Sequence, residues 1–194
     1  AQLKPTDNLD FSTACHLMYS IIPELARILK PGAHLYMFCI IDAFAGLKNN
    51  LEENGFMLSP GALVWDKGRQ TTMFRGYDYM PCYEIIILAH KGTKSKRLNK
   101  PALQILKDSK KHPFTILPAQ MKMHPFEKPL PLLQFLIEQS SQKGDLVLDP
   151  FCGSGATIHA AFNSGRSGLG IELDTEHGLH AQARIKKVTE NGSG

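Results

Sequence analysis

Residues 146 to 157 read LVLDPFCGSGAT, a short apolar run that ends in an aspartate and is followed by glycines at 153 and 155. Two glycines one residue apart let a chain turn sharply and bring its backbone against a ligand, because neither carries a Cβ. A helix beginning at this point would add unpaired N–H groups. Glu172 stands nineteen residues after Gly153, at the end of the next strand-like run, where a carboxylate can accept both hydroxyls of a ribose. The combination points to an adenosine-containing ligand. The competing reading is a plain strand-to-helix turn beside a solvated acid.

The type of ligand follows from what the loop lacks. A dinucleotide fingerprint wants a third glycine at position 158, and Ile158 is there. Asp149 at the loop entrance would repel a pyrophosphate and suit a ligand bearing an amino group or a sulfonium.

Other reactive residue types form weaker patterns. Cys15, Cys39, Cys82 and Cys152 are scattered singly, without the paired spacing of a zinc site or the density of a disulfide scaffold. They read as reduced and mostly buried. Cys152 lies inside the glycine loop, but a nucleophilic thiol needs a base or a positive neighbour, and none is evident; it reads as a small filler. Eight histidines lack metal-ligand spacing, and His177 and His180 have no second pair to support a site, so no metal is expected. Residues 91 to 111, KGTKSKRLNKPALQILKDSKK, hold eight Lys or Arg against the single acid Asp108. Such a cluster would neutralise phosphates and release counterions. A solvated lysine-rich loop is the alternative.

The elements that would position these residues alternate. FSTACHLMYSIIPELARILKPG has helical spacing, with Ser12 or Thr13 as its cap and a kink or second piece at Pro23. AHLYMFCII is strand-like, DAFAGLKNNLEENG helical, and GALVWDKG and CYEIIILAHKG strand-like. The basic stretch is an irregular excursion with a short helix around PALQILKD. Then come a helix in PLPLLQFLIEQSSQKG, the strand DLVLD, a helix in SGATIHAAFNSG, the strand SGLGIELD and a last helix capped by Thr175. This alternation predicts a mostly parallel α/β sheet with helices on both faces, whose ligands bind beyond the carboxyl ends of the strands.

A length of 194 residues, 43% apolar and 21% charged, suits one soluble domain, and a net charge of +4 does not by itself call for a nucleic acid. No apolar run approaches the roughly 20 residues of a membrane span, and the start AQLKPTDNLD lacks the pattern of a signal peptide. An intracellular protein is expected.

The stretch from 124 to 174, HPFEKPLPLLQFLIEQSSQKGDLVLDPFCGSGATIHAAFNSGRSGLGIELD, resembles the cofactor-binding part of DNA methyltransferases that modify the exocyclic amino group of adenine (N6) or cytosine (N4). The match is to the permuted class, in which the catalytic region precedes the cofactor-binding region. HPxEKP, a helix, DPFxGSG and GIExD carry it, and LARILKPGAHLYMFC, LVWDKG and YEIIILAHKG are similar to the catalytic half. The resemblance implies a Rossmann-like methyltransferase fold, S-adenosylmethionine as cofactor and double-stranded DNA as substrate, with a homodimer admitted. It implies one domain over 1–194, with 1–92 in the catalytic half, 93–123 as a basic connecting or target-recognition segment, and 124–190 as the cofactor half. Asp149, Pro150 and Phe151 would line the methionine end of the cofactor, with Gly153, Ser154 and Gly155 allowing close approach. Glu172 would bind the ribose hydroxyls. His124, Lys128 and Pro129 would close the other side of the pocket, while Phe126 stands where the family often carries Thr or Ser. Lys94, Lys96, Arg97, Lys100, Lys110 and Lys111 would meet the DNA backbone.

The family's catalytic signature, Asp, Asn or Ser followed by Pro-Pro and an aromatic residue, occurs nowhere in the 194 residues. The amino nitrogen is a poor nucleophile, its lone pair delocalised into the ring, so acceptors for its hydrogens and a ring to stack the extruded base are needed. Tyr77 and Tyr79 in YDYMP could stack a base, but Pro81 is single. The catalytic residues are therefore unassigned. The expected place of the signature and of two strands is upstream of Ala1, which would make the fold incomplete at its N-terminus. A catalytically inert fragment that binds cofactor or DNA, and a nicotinamide-dependent dehydrogenase, remain as rivals.

Overall fold

The computed structural model describes residues 10–67, 82–95, 98–100, 105–107 and 127–191. The chain forms two compact units, one of Ala1–Arg97 with Ala102–Leu106, the other of Leu98–Pro101 with Lys107–Gly194.

In the first unit, helix α1 (Phe11–Ile28) is capped by Asp10, whose carboxylate accepts the Thr13 N–H and hydroxyl, each at 2.9 Å. Asp10 thus takes the capping place that the sequence assigned to Ser12 or Thr13. The helix is not split at Pro23, because Ile22 and Leu25, both buried, hold the turns on either side while proline forgoes one hydrogen bond. Its last carbonyls are met by the Lys91 ammonium, 2.6 Å from the Leu29 oxygen. Helix α2 (Ile41–Glu53) buries Ala43, Leu47 and Leu51, a four-residue spacing that makes one apolar face.

Strands β1 (His34–Cys39), β2 (Phe56–Leu58), β3 (Leu63–Asp66) and β4 (Tyr83–Lys91) form one sheet with β5 (Ile105–Lys107). β4 is central, and its run from Ile85 to Ala89 is buried throughout. β1 lies antiparallel on one edge, from His34 opposite His90 to Cys39 opposite Ile85. β2 and β3 share the other edge, also antiparallel, Phe56 opposite Lys91 and Leu63 opposite Ile86. Pro60 and Gly61, at φ +73°, separate these two pieces. At the β3 end, Lys67 pairs with Glu84 at 2.6 Å and lies 5.3 Å over the buried Trp65 ring. β5 falls inside PALQILKD, where the sequence suggested a short helix.

The second unit contains helix α3 (Leu130–Ser140), strand β6 (Leu146–Asp149), helix α4 (Ala156–Asn163), strand β7 (Ser167–Gly170) and helix α5 (Thr175–Asn191). Pro129 precedes α3 and Pro131 stands in its first turn, where a missing N–H is harmless. Leu132, Leu133, Leu136 and Ile137 are buried along α3. β6 and β7 run parallel, Leu146 opposite Ser167 and Asp149 opposite Gly170, with α4 packed on them as the crossover. Asp174, not Thr175, caps α5: its Oδ1 accepts the Glu176 and His177 N–H groups at 2.9 and 3.0 Å.

Alternating helices and strands of the α/β class are thus observed. Among the described residues the parallel ladder is β6·β7, whereas the three ladders on β4 are antiparallel. A strand buried on both faces shows the same continuous apolar run in either sense, so the run in β4 carries no direction.

Two glycines of β7 set how closely α4 approaches. A Cβ on Gly168 would lie 2.7 Å from Ile158 Cγ2 and 3.2 Å from its Cα. Replacing a strand glycine by alanine ordinarily gains stability, but here the clash reverses the sign. Gly168→Ala is expected to lower stability by about 1–3 kcal/mol, read as a lower urea midpoint with unchanged slope; a raised midpoint would refute the packing argument.

Candidate functional site

The site lies where β6 ends. Asp149 is the last residue of the strand, and its Oδ1 accepts the Phe151 N–H at 3.0 Å, turning the chain away from the sheet. The Cys152 N–H is donated to the Ile171 oxygen at 3.0 Å, and the Gly153 N–H to Glu172 Oε2 at 2.8 Å. The Gly155 N–H returns to the Cys152 oxygen at 2.7 Å, and α4 begins. Gly153 has φ +50° and Gly155 φ +77°, a region side chains disfavour. At Gly155 a Cβ would also meet Ala181 Cβ at 3.0 Å, so this glycine is required by conformation and by the nearness of α5.

Glu172 follows β7 and holds the loop. Besides the Gly153 N–H on Oε2, its Oε1 accepts the Asp174 N–H at 2.9 Å. A carboxylate has about four lone-pair positions, so these two bonds leave acceptor capacity for two further hydroxyl donors.

Cys152 packs against β7, its Sγ 2.7 Å from where a Gly170 Cβ would stand. Burial, reinforced by the negative charges of Asp149 and Glu172, pushes its thiol up to about 11. The thiol is therefore protonated at neutral pH and not a nucleophile.

A second polar group sits behind the loop. Ser154 is buried, and its hydroxyl donates to Glu127 Oε2 at 2.9 Å. Arg184 on α5 donates to Glu127 Oε1 at 2.9 Å, to Ser154 Oγ at 3.2 Å and to His159 Nδ1 at 3.2 Å. Burial, with the Arg184 charge beside it and Glu127 opposing, holds His159 below its usual value. The neutral ring is what an acceptor to Arg184 requires.

Several expected site residues are brought together. Asp149, Pro150, Phe151, Gly153, Ser154, Gly155 and Glu172 line one loop and the adjoining end of β7. Lys128 and the buried Pro129 adjoin Glu127 at the start of α3. Phe151 is 47% exposed. Lys94 and Lys100 are exposed, each in a different unit. His124, Phe126, Lys96, Arg97, Lys110 and Lys111, with Tyr77 and Tyr79, lie outside the described residues. Glu127, His159 and Arg184 were not singled out by sequence. Glu127 sits within the HPFEKP motif, which was the available signal; Arg184 is one of several basic residues on α5.

Among the described residues no three metal-ligating side chains converge, and no helix is long and apolar enough to cross a membrane.

Residues 2–182 match a family described as DNA methylase, of the N6/N4 type. The chain is similar to the type II methyltransferase M.HpaI of Haemophilus parainfluenzae, 26% identical over 195 residues, covering 92% of this chain and 62% of that protein. It is similar to the DNA adenine methyltransferase YhdJ of Escherichia coli K12, 26% identical over 187 residues, covering 82% of this chain and 63% of that protein. The chain thus spans about three fifths of the length of these two curated relatives. Among solved structures, the M1.HpyAVI–SAM complex aligns with a TM-score of 0.72 at 29% identity, over 86% of this chain and 81% of that one.

The thiol environment gives a test. With its thiol at about 11, roughly one Cys152 in a thousand is thiolate at pH 8. Iodoacetamide at pH 8 is expected to label the exposed Cys82 first, with Cys152 labelling accelerating as pH rises toward 11. Mass spectrometry of the peptides reads it; preferential labelling of Cys152 at pH 8 would refute the inert-thiol assignment.

Proposed function

The chain belongs to the N6/N4 DNA methylase family and has its α/β methyltransferase fold, and from that premise we propose that it transfers a methyl group from S-adenosylmethionine to the exocyclic amino group of adenine or cytosine in double-stranded DNA. The observation that carries this is the pairing of the glycine loop with Glu172. The N–H groups of Phe151, Cys152, Gly153 and Gly155 are all donated to protein oxygens, which leaves a site rich in acceptors. A pyrophosphate needs donors; an adenosine bearing hydroxyls and an amino group supplies its own, and a sulfonium adds positive charge that carboxylates favour. Ile158 in place of a third glycine supports the same choice and counts against a nicotinamide dinucleotide.

When bound, S-adenosylmethionine supplies a methyl group made electrophilic by its sulfonium. In this reading Glu172 accepts the ribose hydroxyls while continuing to hold the loop. Asp149 balances positive charge at the methionine end, Phe151 offers an apolar surface beside it, and Gly153 and Gly155 admit the cofactor close to the backbone. Ser154 contributes by its backbone, its hydroxyl being engaged with Glu127. Lys128, with His124, would face the cofactor carboxylate, and Pro129 begins the helix that carries this wall.

We assign the two units to the two halves of one methyltransferase domain in an intracellular protein. Lys94 and Lys100, with Lys96, Arg97, Lys110 and Lys111, would contact DNA phosphates. Extruding the target base costs a few kcal/mol, which backbone contacts help offset.

Incubation of the full-length protein with unmethylated duplex DNA and labelled cofactor, followed by mass spectrometry of the nucleosides, is expected to yield N6-methyladenine or N4-methylcytosine. Binding of both ligands without transfer would leave an inert binding module. For the ribose assignment, Glu172→Ala is expected to weaken S-adenosylhomocysteine binding roughly 10- to 100-fold while DNA affinity changes little. Equal losses for both ligands, measured by calorimetry, would count against it.

A further inference from the structure

We propose that Arg184 is the positioning residue of the cofactor pocket, fixing the segment Glu127–Lys128–Pro129 and the glycine loop in one relation to each other. The proposal rests on the reading of that loop as an S-adenosylmethionine site and adds to it a residue outside the expected set.

Three groups close a ring. Arg184 Nη2 meets Glu127 Oε1 at 2.9 Å, Arg184 Nη1 meets Ser154 Oγ at 3.2 Å, and Ser154 Oγ donates to Glu127 Oε2 at 2.9 Å. The Nε–H is donated to His159 Nδ1 on α4 at 3.2 Å. One guanidinium thus ties α5 to the start of α3, to the loop and to α4. The ring is secluded: the side chains of Glu127 and Arg184 are 3% and 13% exposed, and Ser154 is 4% exposed.

A buried ion pair is a poor way to gain stability, since desolvating both ions offsets most of their attraction, and apolar groups of the same volume do as well. What the pair supplies is direction. One guanidinium N–H meets one carboxylate oxygen, the other carboxylate oxygen takes the Ser154 hydroxyl, and a second guanidinium nitrogen reaches that same hydroxyl, so the planar donor set fixes all three groups in direction. Ser154 stands between glycines at φ +50° and +77°, residues with no side chain of their own to anchor the loop. Its hydroxyl is the handle by which that stretch is gripped, and the grip sets the distance from the loop to Lys128 and Pro129. The side chains of Glu127 and Arg184 act through these neighbours rather than on the reacting atoms.

The test separates shape from stability. Affinity for S-adenosylhomocysteine by calorimetry and thermal unfolding are measured for the protein and for Arg184→Lys, Arg184→Met, Ser154→Ala and the double variant Glu127→Met with Arg184→Met. The double variant is expected to unfold above Arg184→Met alone, because no charge is left uncompensated, yet to bind the ligand roughly 10- to 100-fold more weakly, the loss usual when groups supporting a binding shell are removed. Ser154→Ala, which keeps the ion pair, is expected to lose affinity with little loss of stability. Arg184→Lys keeps the charge without the planar set of donors that reaches Glu127, Ser154 and His159, and is expected to fall between. A double variant that binds as the wild type does, or affinities that follow unfolding temperature across all variants, would overturn the positioning role. A wild-type protein that binds no S-adenosylhomocysteine would overturn the cofactor reading, and this inference with it.

Discussion

The turn from β6 into α4 passes through Gly153 and Gly155, which have no side chain to hold them, and its shape there depends on where the backbone N–H groups go. Glycine is the residue that tolerates φ values of +50° and +77°, but it also loses the most freedom on folding. Glu172 offsets that loss by taking the Gly153 N–H at 2.8 Å with one oxygen while its other oxygen takes the Asp174 N–H. The carboxylate therefore joins the end of β7, the loop and the cap of α5. The nearness of α5 at Gly155 and the packing of Cys152 on Gly170 are possible only when the loop is held in this form.

The charges around the loop divide into two groups with different consequences. Behind it, Glu127 and Arg184 neutralise each other in a secluded pair. At its mouth, Asp149 and Glu172 have no such cation within the described network, and their fields raise the Cys152 thiol. A mouth with two carboxylates, and with the N–H groups of Phe151, Cys152, Gly153 and Gly155 engaged by protein oxygens, favours a ligand that donates hydrogen bonds or carries positive charge. A phosphate cradle needs its loop N–H groups turned to the ligand instead. The same glycine spacing can thus serve two chemistries, and the partner of each N–H decides between them.

Most of this was legible in the sequence, for identifiable reasons. The helices and long strands show because apolar periodicity and glycine stops are local signals: LVLD, SGLG and the α3 stretch lie where spacing puts them. The α/β methyltransferase fold was likewise readable from motifs. What was missed depends on contacts distant in sequence. β2 is three residues long and exists because its neighbour β4 offers an edge. β5 took the strand form over a helical pattern because a sheet edge at β3 was available to it. Pro23 remains within α1 because burial on both sides outweighs one lost bond. Arg184 meets His159, Ser154 and Glu127 across separations of 25, 30 and 57 residues, which no window of spacing can reveal.

The basic segment shows how order and charge can be separated. Asn99 donates to the Glu138 and Ser141 oxygens at the end of α3, and the Lys100 N–H is donated to Gln139 Oε1 at 2.9 Å. Arg166 meets the Ser141 oxygen at 2.7 Å from β7's side, so the last carbonyls of α3 are satisfied from both directions. The backbone around Asn99 is fixed while the Lys100 side chain is exposed. Counterion release depends on how many cations reach phosphates and not on how the chain presents them. Pinning at Asn99 would therefore add nothing to the strength of the phosphate contact proposed for Lys100; it would set where along a duplex that contact falls.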